Sequence, residues 1–578
     1  MSSPTQHHNI HIDRNVPVPM RDGVNLRADI YRPKGEGRWP VILMRLVADP
    51  AAETQRTLGA FFSRRGYVFV YNNMRGTYQS EGEFFPLIND AWGETQDGYD
   101  TVEWAAHQPW SNGDVGLFGP SIDAFAQYTT APTRPPSLKA CMPFFGSNIH
   151  ETVFPNGLYR LEEHRSWALW MALNCLTSEV APAEREAVRT RLLAAQEDHD
   201  SWLWHLPVTE APVLTGVAPW HFEQLRHQRD RQLWTQTDAR TQFQEIDAPM
   251  LHVAGWYDLY LNGTLEHYTG LVNHGRTVRC RASQRLVIGP WQHGHCNVPT
   301  LPPPLDFGDA AQLDFKELAL RWFDHWLKED ENGLMDEPAV RLFLMGENRW
   351  LEFDRWPPDN VIYHPFYLRQ GTGKTAESLN NGHLTMEAPS TPEQADTYSY
   401  DPNDPVIGHQ RSALTPEPDQ REREGRLLTY TSEVLQEPVV VIGPVKAVLY
   451  ASSSAVDTDW VVRLCDVWPD GRSIRICDGV VRARYRNSLD QEELLEPGRI
   501  YRYEIDMTAT AQTFLPGHRI RVHVTSSDFP RYDRNLNTGG PFGVETAGQV
   551  ADNTIFHDPE RPSHVILPIV LASETVRQ

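Results

Sequence analysis

The sequence predicts an α/β core with an inserted helical cap, followed by an all-β sandwich or jelly-roll domain. Three patterns carry this expectation. Strand-like and helix-like segments alternate through the first third of the chain. From about residue 148 the pattern turns helical and rich in tryptophan. After about residue 337 short strand-like segments follow one another, separated by turn sequences. Alternation implies a parallel sheet covered on both faces, and a run of short strands with regular turns implies a sandwich or jelly roll. The expected boundaries are 1–147 and 245–335 for the α/β core, 148–244 for the cap and 336–578 for the jelly roll.

The elements follow in order. Residues 40–44 (PVILM) and 67–71 (YVFVY) are short apolar runs of the buried-strand type, and 57–64 between them can form a crossover helix. Val102, Ala105 and Ala106 share one face of a further helix, and 115–118 form the next strand. The cap contains a helix over 184–196, with Val188, Leu192 and Ala195 on one face. Strands return at 249–254 and 285–289, and an amphipathic helix over 313–328 closes this part. Later strands are expected at 339–345, 439–450, 460–467, 474–485, 499–507, 519–526 and 564–570. The polar, proline-rich stretch 370–420 reads as surface loops.

The chain has 578 residues and a formal net charge of -23. That charge disfavours nucleic acid and anionic membranes, both of which attract basic surfaces. No apolar run approaches the ~18 residues that a membrane span needs, and residues 1–15 lack the apolar centre of a signal peptide. A soluble, cytoplasmic protein is expected, with a homo-oligomer left open. The six cysteines form no C-x-x-C pair, so neither a metal site nor a redox dithiol is expected, and no cofactor is implied. Cys465 and Cys477 can face each other across a hairpin. Two buried free thiols are favoured there over a disulfide.

The chemistry centres on "VGLFGPSIDAF", residues 115–125. Ser121 follows a strand and precedes a helix, which is the geometry of a nucleophile elbow. The N–H of Ile122 and the helix N-terminus then lie where an oxyanion would develop. A serine needs a base, and the base needs an orienting acid. Both occur just past later strands and in the chain order of this architecture: Asp258 after the strand ending near Ala254, and His293 after the strand ending near Gly289.

"GPSIDAF", "GWYDLY" and "VIGPWQHG" together resemble the CocE/NonD family of hydrolases, related to the X-Pro dipeptidyl-peptidase (S15) group. "VPMRDGVNLRADIYRP", "RGTYQSEGEF", "ALRWFDHWLK", "FLMGENRW" and "FLPGHRIRVHVTSSDFPRYDRN" extend the likeness over nearly the whole chain. The resemblance implies an α/β hydrolase core with an inserted helical cap, followed by an all-β jelly-roll domain, with Ser121 as nucleophile, Asp258 as acid and His293 as base.

Three departures from the family pattern stand out. The family's G-x-S-Y-x-G has Ile122 and Ala124 in place of its tyrosine and second glycine. The family tyrosine whose hydroxyl completes the oxyanion hole is replaced by Ala48, which leaves only a main-chain donor there. The family D-x-R-G becomes Asn73-Met74-Arg75-Gly76, which removes an expected carboxylate partner for Arg75.

Family members that act on α-amino acid esters carry acids just after the catalytic aspartate. Here Leu259, Tyr260, Leu261 and Asn262 follow. A free α-amino group is therefore disfavoured, and dipeptidyl-peptidase activity with it. Asp123 beside the serine reads as a helix-start carboxylate. Tyr260 matches an aromatic that lines the family's acyl pocket, and Trp167 and Trp170 of the cap are further lining candidates. The expected activity is hydrolysis of a small-molecule ester or amide with an apolar or aromatic acyl group. The alternative is a drifted member that binds a ligand or performs acyl transfer, lactone formation or other non-hydrolytic chemistry.

Overall fold

The computed structural model describes residues 8–175, 180–294, 304–407 and 418–570. The chain opens with the antiparallel hairpin β1 (Ile10–Pro19) and β2 (Asn25–Pro33). Strand β3 (Trp39–Leu46), helix α1 (Glu53–Ser63), strand β4 (Val68–Asn73), helix α2 (Asp97–Ala106), strand β5 (Ser111–Pro120), helix α3 (Ile122–Thr130) and strand β6 (Leu138–Phe144) then alternate. The cap follows as α4 (Ile149–Val153), α5 (Leu161–Cys175), α6 (Arg185–Glu197), α7 (His199–Leu203), α8 (Pro219–Arg226) and α9 (Arg231–Thr235), joined by short 3-10 turns. The chain returns through β7 (Leu251–Gly255), α10 (Leu261–His274), α11 (Val278–Ala282), β8 (Arg285–Gly289), α12 (Phe315–Lys328), β9 (Val340–Leu344) and β10 (Arg349–Phe353).

These ten strands form one mixed sheet in the order β1-β2-β4-β3-β5-β6-β7-β8-β9-β10. From β4 to β9 every neighbouring pair is parallel. A parallel strand covered on both faces must be apolar on both, and Val41, Ile42 and Leu43 of β3 are fully buried. Helix α12 packs close beneath β5 because Gly116 has no side chain: a Cβ there would stand 2.5 Å from the Phe323 ring. The chain winds from β3 out to β4, then crosses back to β5. That reversal makes a crevice at the C-terminal ends of β3 and β5, the place where open α/β sheets bind ligands.

A buried ionic cluster braces the crevice from below. Arg45 of β3 contacts Asp90 at 2.5 Å, Asn72 at 2.7 Å and Thr101 at 2.7 Å. Arg75 is gripped by both oxygens of Asp97, at 2.9 and 2.7 Å, and by Asp22 at 2.8 Å. The asparagine at position 73 has therefore not deprived Arg75 of carboxylates, contrary to the sequence expectation. Its partners come from the β1–β2 turn and from α2, positions that no local pattern pairs with residue 75.

The last domain is an all-β unit of eleven hydrogen-bonded strands. Its long strand Val439–Ser453 pairs with Tyr501–Phe514 on one side and with Ala551–Phe556 and His564–Val570 on the other. Two expectations are corrected. The strand expected at 339–345 to begin this domain is β9. It pairs with β8 and, with β10, extends the hydrolase sheet, so residues 340–353 belong to the first sheet. An isolated apolar strand carries no local mark of the sheet it joins. The stretch 370–420 also holds two short strands, Gly382–Thr385 and Asp396–Tyr400, in this second sheet. Cys465 and Cys477 are buried free thiols. A bulge sets Cys477 opposite Leu464 and Cys465 opposite Arg475. Burial pushes the Cys465 thiol up to about 12. Cys296 and His295 lie outside the described residues.

The all-β domain grips the cap through residues 529–535. Asp533 accepts the Tyr159 N–H at 2.8 Å and is itself held by Arg482 at 3.0 Å. The Glu162 N–H at the start of α5 donates to the Pro530 carbonyl at 3.1 Å. No helix among the described residues is long and apolar enough to cross a membrane. Replacing Asp97 by Ala leaves the Arg75 guanidinium buried and short of its bidentate partner. The expected cost is about 3–5 kcal/mol, seen as a clear fall in the thermal unfolding midpoint. An unchanged midpoint would show that Asp22 alone suffices.

Candidate active site

Ser121 stands at the tip of β5 with φ 58° and ψ −130°, a conformation strained for any residue with a side chain. The turn is held by the Ser121 N–H to the Phe144 carbonyl at 3.0 Å and by the Ala124 N–H to the Ser121 carbonyl at 2.8 Å. Helix α3 starts at the next residue, so the Ile122 N–H is one of its uncommitted first-turn donors. Gly119, with φ +147°, lies so close to Asp123 that a Cβ there would sit 2.6 Å from the Asp123 Cβ. The Asp123 carboxyl is thus packed against the strand below the serine. Burial raises its pKa well above the ordinary range.

Asp258 and His293 come from the ends of β7 and β8. Trp291 locks their loops together. Gly255 and Gly289 leave room for it, since a Cβ at either would come within 2.2 Å of Trp291 atoms. The Tyr257 N–H also donates to the Trp291 carbonyl at 3.0 Å. Asp258 Oδ2 and His293 Nδ1 are 2.9 Å apart. The other carboxylate oxygen accepts the Tyr260 N–H at 2.6 Å. A carboxylate acceptor places the proton on Nδ1 and leaves Nε2 free as a base. The His293 ring is flanked edge-on by Tyr260, at 4.9 Å, and by Phe145, at 5.6 Å.

The loop after β3 is tied to the end of β4. Asn73 at the end of β4 donates to the Ala48 carbonyl at 3.0 Å, which fixes the peptide that follows Ala48. A small pocket opens over Ser121. Its walls include Ile122, Phe125, Trp167, Tyr260 and the carboxyl of Glu163 on α5. Glu163 Oε1 accepts the Tyr260 hydroxyl at 2.7 Å.

Residues 22–295 match the X-Pro dipeptidyl-peptidase (S15) family, and residues 332–566 match the X-Pro dipeptidyl-peptidase C-terminal non-catalytic domain. The cocaine esterase of Rhodococcus sp. (strain MB1 Bresler) is 38% identical over 583 residues, spanning 97% of this chain and 99% of that protein. The chain belongs to the S15 family. Among solved structures, this S15 chain is similar to an aminopeptidase from the marine sediment archaeon Thaumarchaeota archaeon. That match has a TM-score of 0.80 and 27% identity, and covers 99% of this chain and 98% of the other. An α-amino acid ester hydrolase matches with a TM-score of 0.79 and 25% identity over 98% of each chain. The S15 chain is a serine hydrolase of the α/β hydrolase fold.

Of the residues singled out in the sequence, Ser121, Ile122, Tyr260 and Trp167 border one cavity in this S15 hydrolase. Asp258 and His293 are hydrogen-bonded beside it. Trp170 is not part of the wall. It lies three residues, about 4.5 Å, further along α5 than Trp167, and the residue is 40% exposed. Ala48 supplies no side chain, and Asn73 anchors its carbonyl. The missing second glycine is offset from across the sheet. Gly146 faces Ala124, and a Cβ on Gly146 would lie 2.8 Å from the Ala124 Cβ. Glu163 was not among the acids that the sequence pointed to, which lay after Asp258 and, as Asp123, beside the serine. The polar run 162–165 inside an otherwise tryptophan-rich cap was the available signal.

The pairing of Ala124 with Gly146 is directly testable. Gly146→Ala is expected to cost about 1–3 kcal/mol by overpacking, and Ala124→Gly in the same chain is expected to recover most of it. Additive losses in a urea-unfolding double-mutant cycle would separate the two positions.

Proposed function

We propose that this serine hydrolase cleaves small-molecule carboxylic esters through an acyl-enzyme on Ser121, with His293 as base and Asp258 as its orienting acid. The observation that carries the reading is the 2.9 Å contact of His293 Nδ1 with the buried Asp258 carboxylate, past the ends of two strands of the sheet whose strand β5 ends at the strained Ser121. In the first step His293 Nε2 takes the Ser121 hydroxyl proton as Oγ attacks the ester carbonyl. The imidazolium then returns the proton to the leaving alcohol. Water, deprotonated by the same nitrogen, releases the acid in the second step.

Charge that develops on the carbonyl oxygen falls to the Ile122 N–H at the N-terminus of α3 and to a main-chain N–H of the Ala48 loop. This is the two-amide arrangement of the architecture. Asn73 supports the second donor by holding the Ala48 carbonyl. The apolar walls from Phe125, Trp167 and Tyr260 favour an apolar or aromatic acyl group and exclude water from the acyl-enzyme. The likeness to cocaine esterase over 97% of the chain supports ester over peptide substrates.

Ala48 favours one further reading. With no hydroxyl at that position every tetrahedral step is weakened alike, and an alcohol that resolves the acyl-enzyme in place of water gives acyl transfer on the same residues. A fluorophosphonate probe separates the cases. Labelling of Ser121 with fast ester turnover supports hydrolysis. Labelling with turnover that rises on adding alcohol supports transfer. No labelling of folded protein rejects Ser121 as a nucleophile.

Ser121→Ala and His293→Ala are expected to lower kcat by roughly 10⁴–10⁶, and Asp258→Asn by about 10⁴. Measured on aryl esters, unchanged activity in any variant removes that residue from the mechanism. Asn73→Ala is expected to lower kcat on the order of 10² with KM little changed, because it frees the Ala48 loop to move.

A further inference from the structure

Besides Ser121 and the Tyr260 hydroxyl, the polar residues lining the pocket over Ser121 are Thr152, Glu163 and His164, and the Thr152 hydroxyl is committed to the Asn148 carbonyl at 2.8 Å. Glu163 projects from the first turn of α5. Its Oε1 accepts the Tyr260 hydroxyl, whereas its Oε2 is buried and has no hydrogen-bond partner among the described residues. A buried acceptor left without a donor is destabilising, and native interiors rarely keep one. One that borders a substrate cavity is satisfied when the substrate brings a donor. The neighbouring His164 does not compete for that role. Its Nδ1 is 3.0 Å from the Tyr159 hydroxyl and its Nε2 is 2.8 Å from Gln224 Oε1.

The charges around Glu163 indicate which kind of donor. Burial raises its carboxyl, and the Arg160 guanidinium and the Tyr260 hydroxyl oppose that rise. Arg160 is itself buried and donates to the Leu259 carbonyl at 3.2 Å, so a fixed cation already stands beside Glu163. An ammonium entering the cavity would lose its hydration to meet a carboxylate whose charge is already countered. A hydroxyl brings one donor and no charge.

We propose that Glu163 is a specificity residue whose free Oε2 accepts a hydrogen bond from a hydroxyl on the acyl group. The enzyme then prefers hydroxylated aromatic acyl groups to their unsubstituted counterparts. This inference rests on the ester-hydrolase reading above.

The test uses the full chain and benzoyl esters of one phenol that are unsubstituted, hydroxylated, methoxylated or aminomethylated at ring positions 3 and 4. The methoxy esters control for electronic effects on the carbonyl. At one of the two positions, the wild-type kcat/KM for the hydroxy ester is expected to exceed that for the unsubstituted and methoxy esters by about 10- to 100-fold. Glu163→Leu is expected to reduce this ratio to about one while Ser121 still reacts with a fluorophosphonate. Glu163→Gln, whose amide oxygen still accepts, is expected to keep part of the preference. It also serves as the test if the leucine variant does not fold.

Equal wild-type rates on hydroxy and unsubstituted esters would overturn the inference and leave the hydrolase reading standing. So would a preference that survives in Glu163→Leu. Aminomethyl esters preferred over hydroxy esters would overturn the choice of a neutral donor. No Ser121-dependent turnover of any ester would reject the hydrolase reading, and this inference with it.

Discussion

The Asp258 carboxylate is the point on which the site turns. It is buried, so its charge must be answered by hydrogen bonds, and it receives two: the Tyr260 N–H at 2.6 Å and His293 Nδ1 at 2.9 Å. Those bonds set the imidazole tautomer and fix where Tyr260 leaves the loop. Tyr260 in turn lays its ring edge-on to His293 and passes its hydroxyl to Glu163 on the cap. One carboxylate thus orders the proposed base, a wall of the cavity over Ser121 and the contact between core and cap. Gly255, Gly289 and the Trp291 wedged between them keep the two strand ends at the spacing this requires.

The cap is ordered from the other side by the all-β domain. The segment 529–535 reaches the start of α5 through Asp533 and the Pro530 carbonyl, and Arg482 bonds both Asp459 and Asp533 behind it. Charges buried this deeply contribute little as net attraction, but removing one partner is costly. The arrangement therefore acts mainly to define one docking geometry. Trp167 and Glu163 occupy the cavity wall because α5 is seated in this way, and the seat belongs to a domain of which no described residue lines that cavity.

Much of this was legible in the sequence, for identifiable reasons. The parallel strands appear as unbroken apolar runs because both faces are buried. Ser121, Asp258 and His293 stand just past such runs, where the architecture places chemistry. What escaped depended on long-range placement. Glu163 reaches the site from the cap, far in sequence from Asp258. Gly146 compensates for Ala124 across two strands, and Asp97 and Asp22 replace a carboxylate expected beside Arg75. Strand β9 has the composition of either sheet, and only its pairing with β8 decides. Trp170 shares a helical spacing with Trp167 and still misses the cavity, since spacing defines a face of the helix and not how far that face extends over a pocket.

The hold of Asp533 on Tyr159 bears on how acyl preference can change within such architectures. The cap is not an independent module hinged on the hydrolase core. Its first long helix is seated on a loop contributed more than three hundred residues later in the chain. A cap transplanted from a relative without that loop would leave Arg482 and Asp533 facing an unmatched surface. The unit that can be exchanged is therefore discontinuous: cap and 529–535 segment must move together.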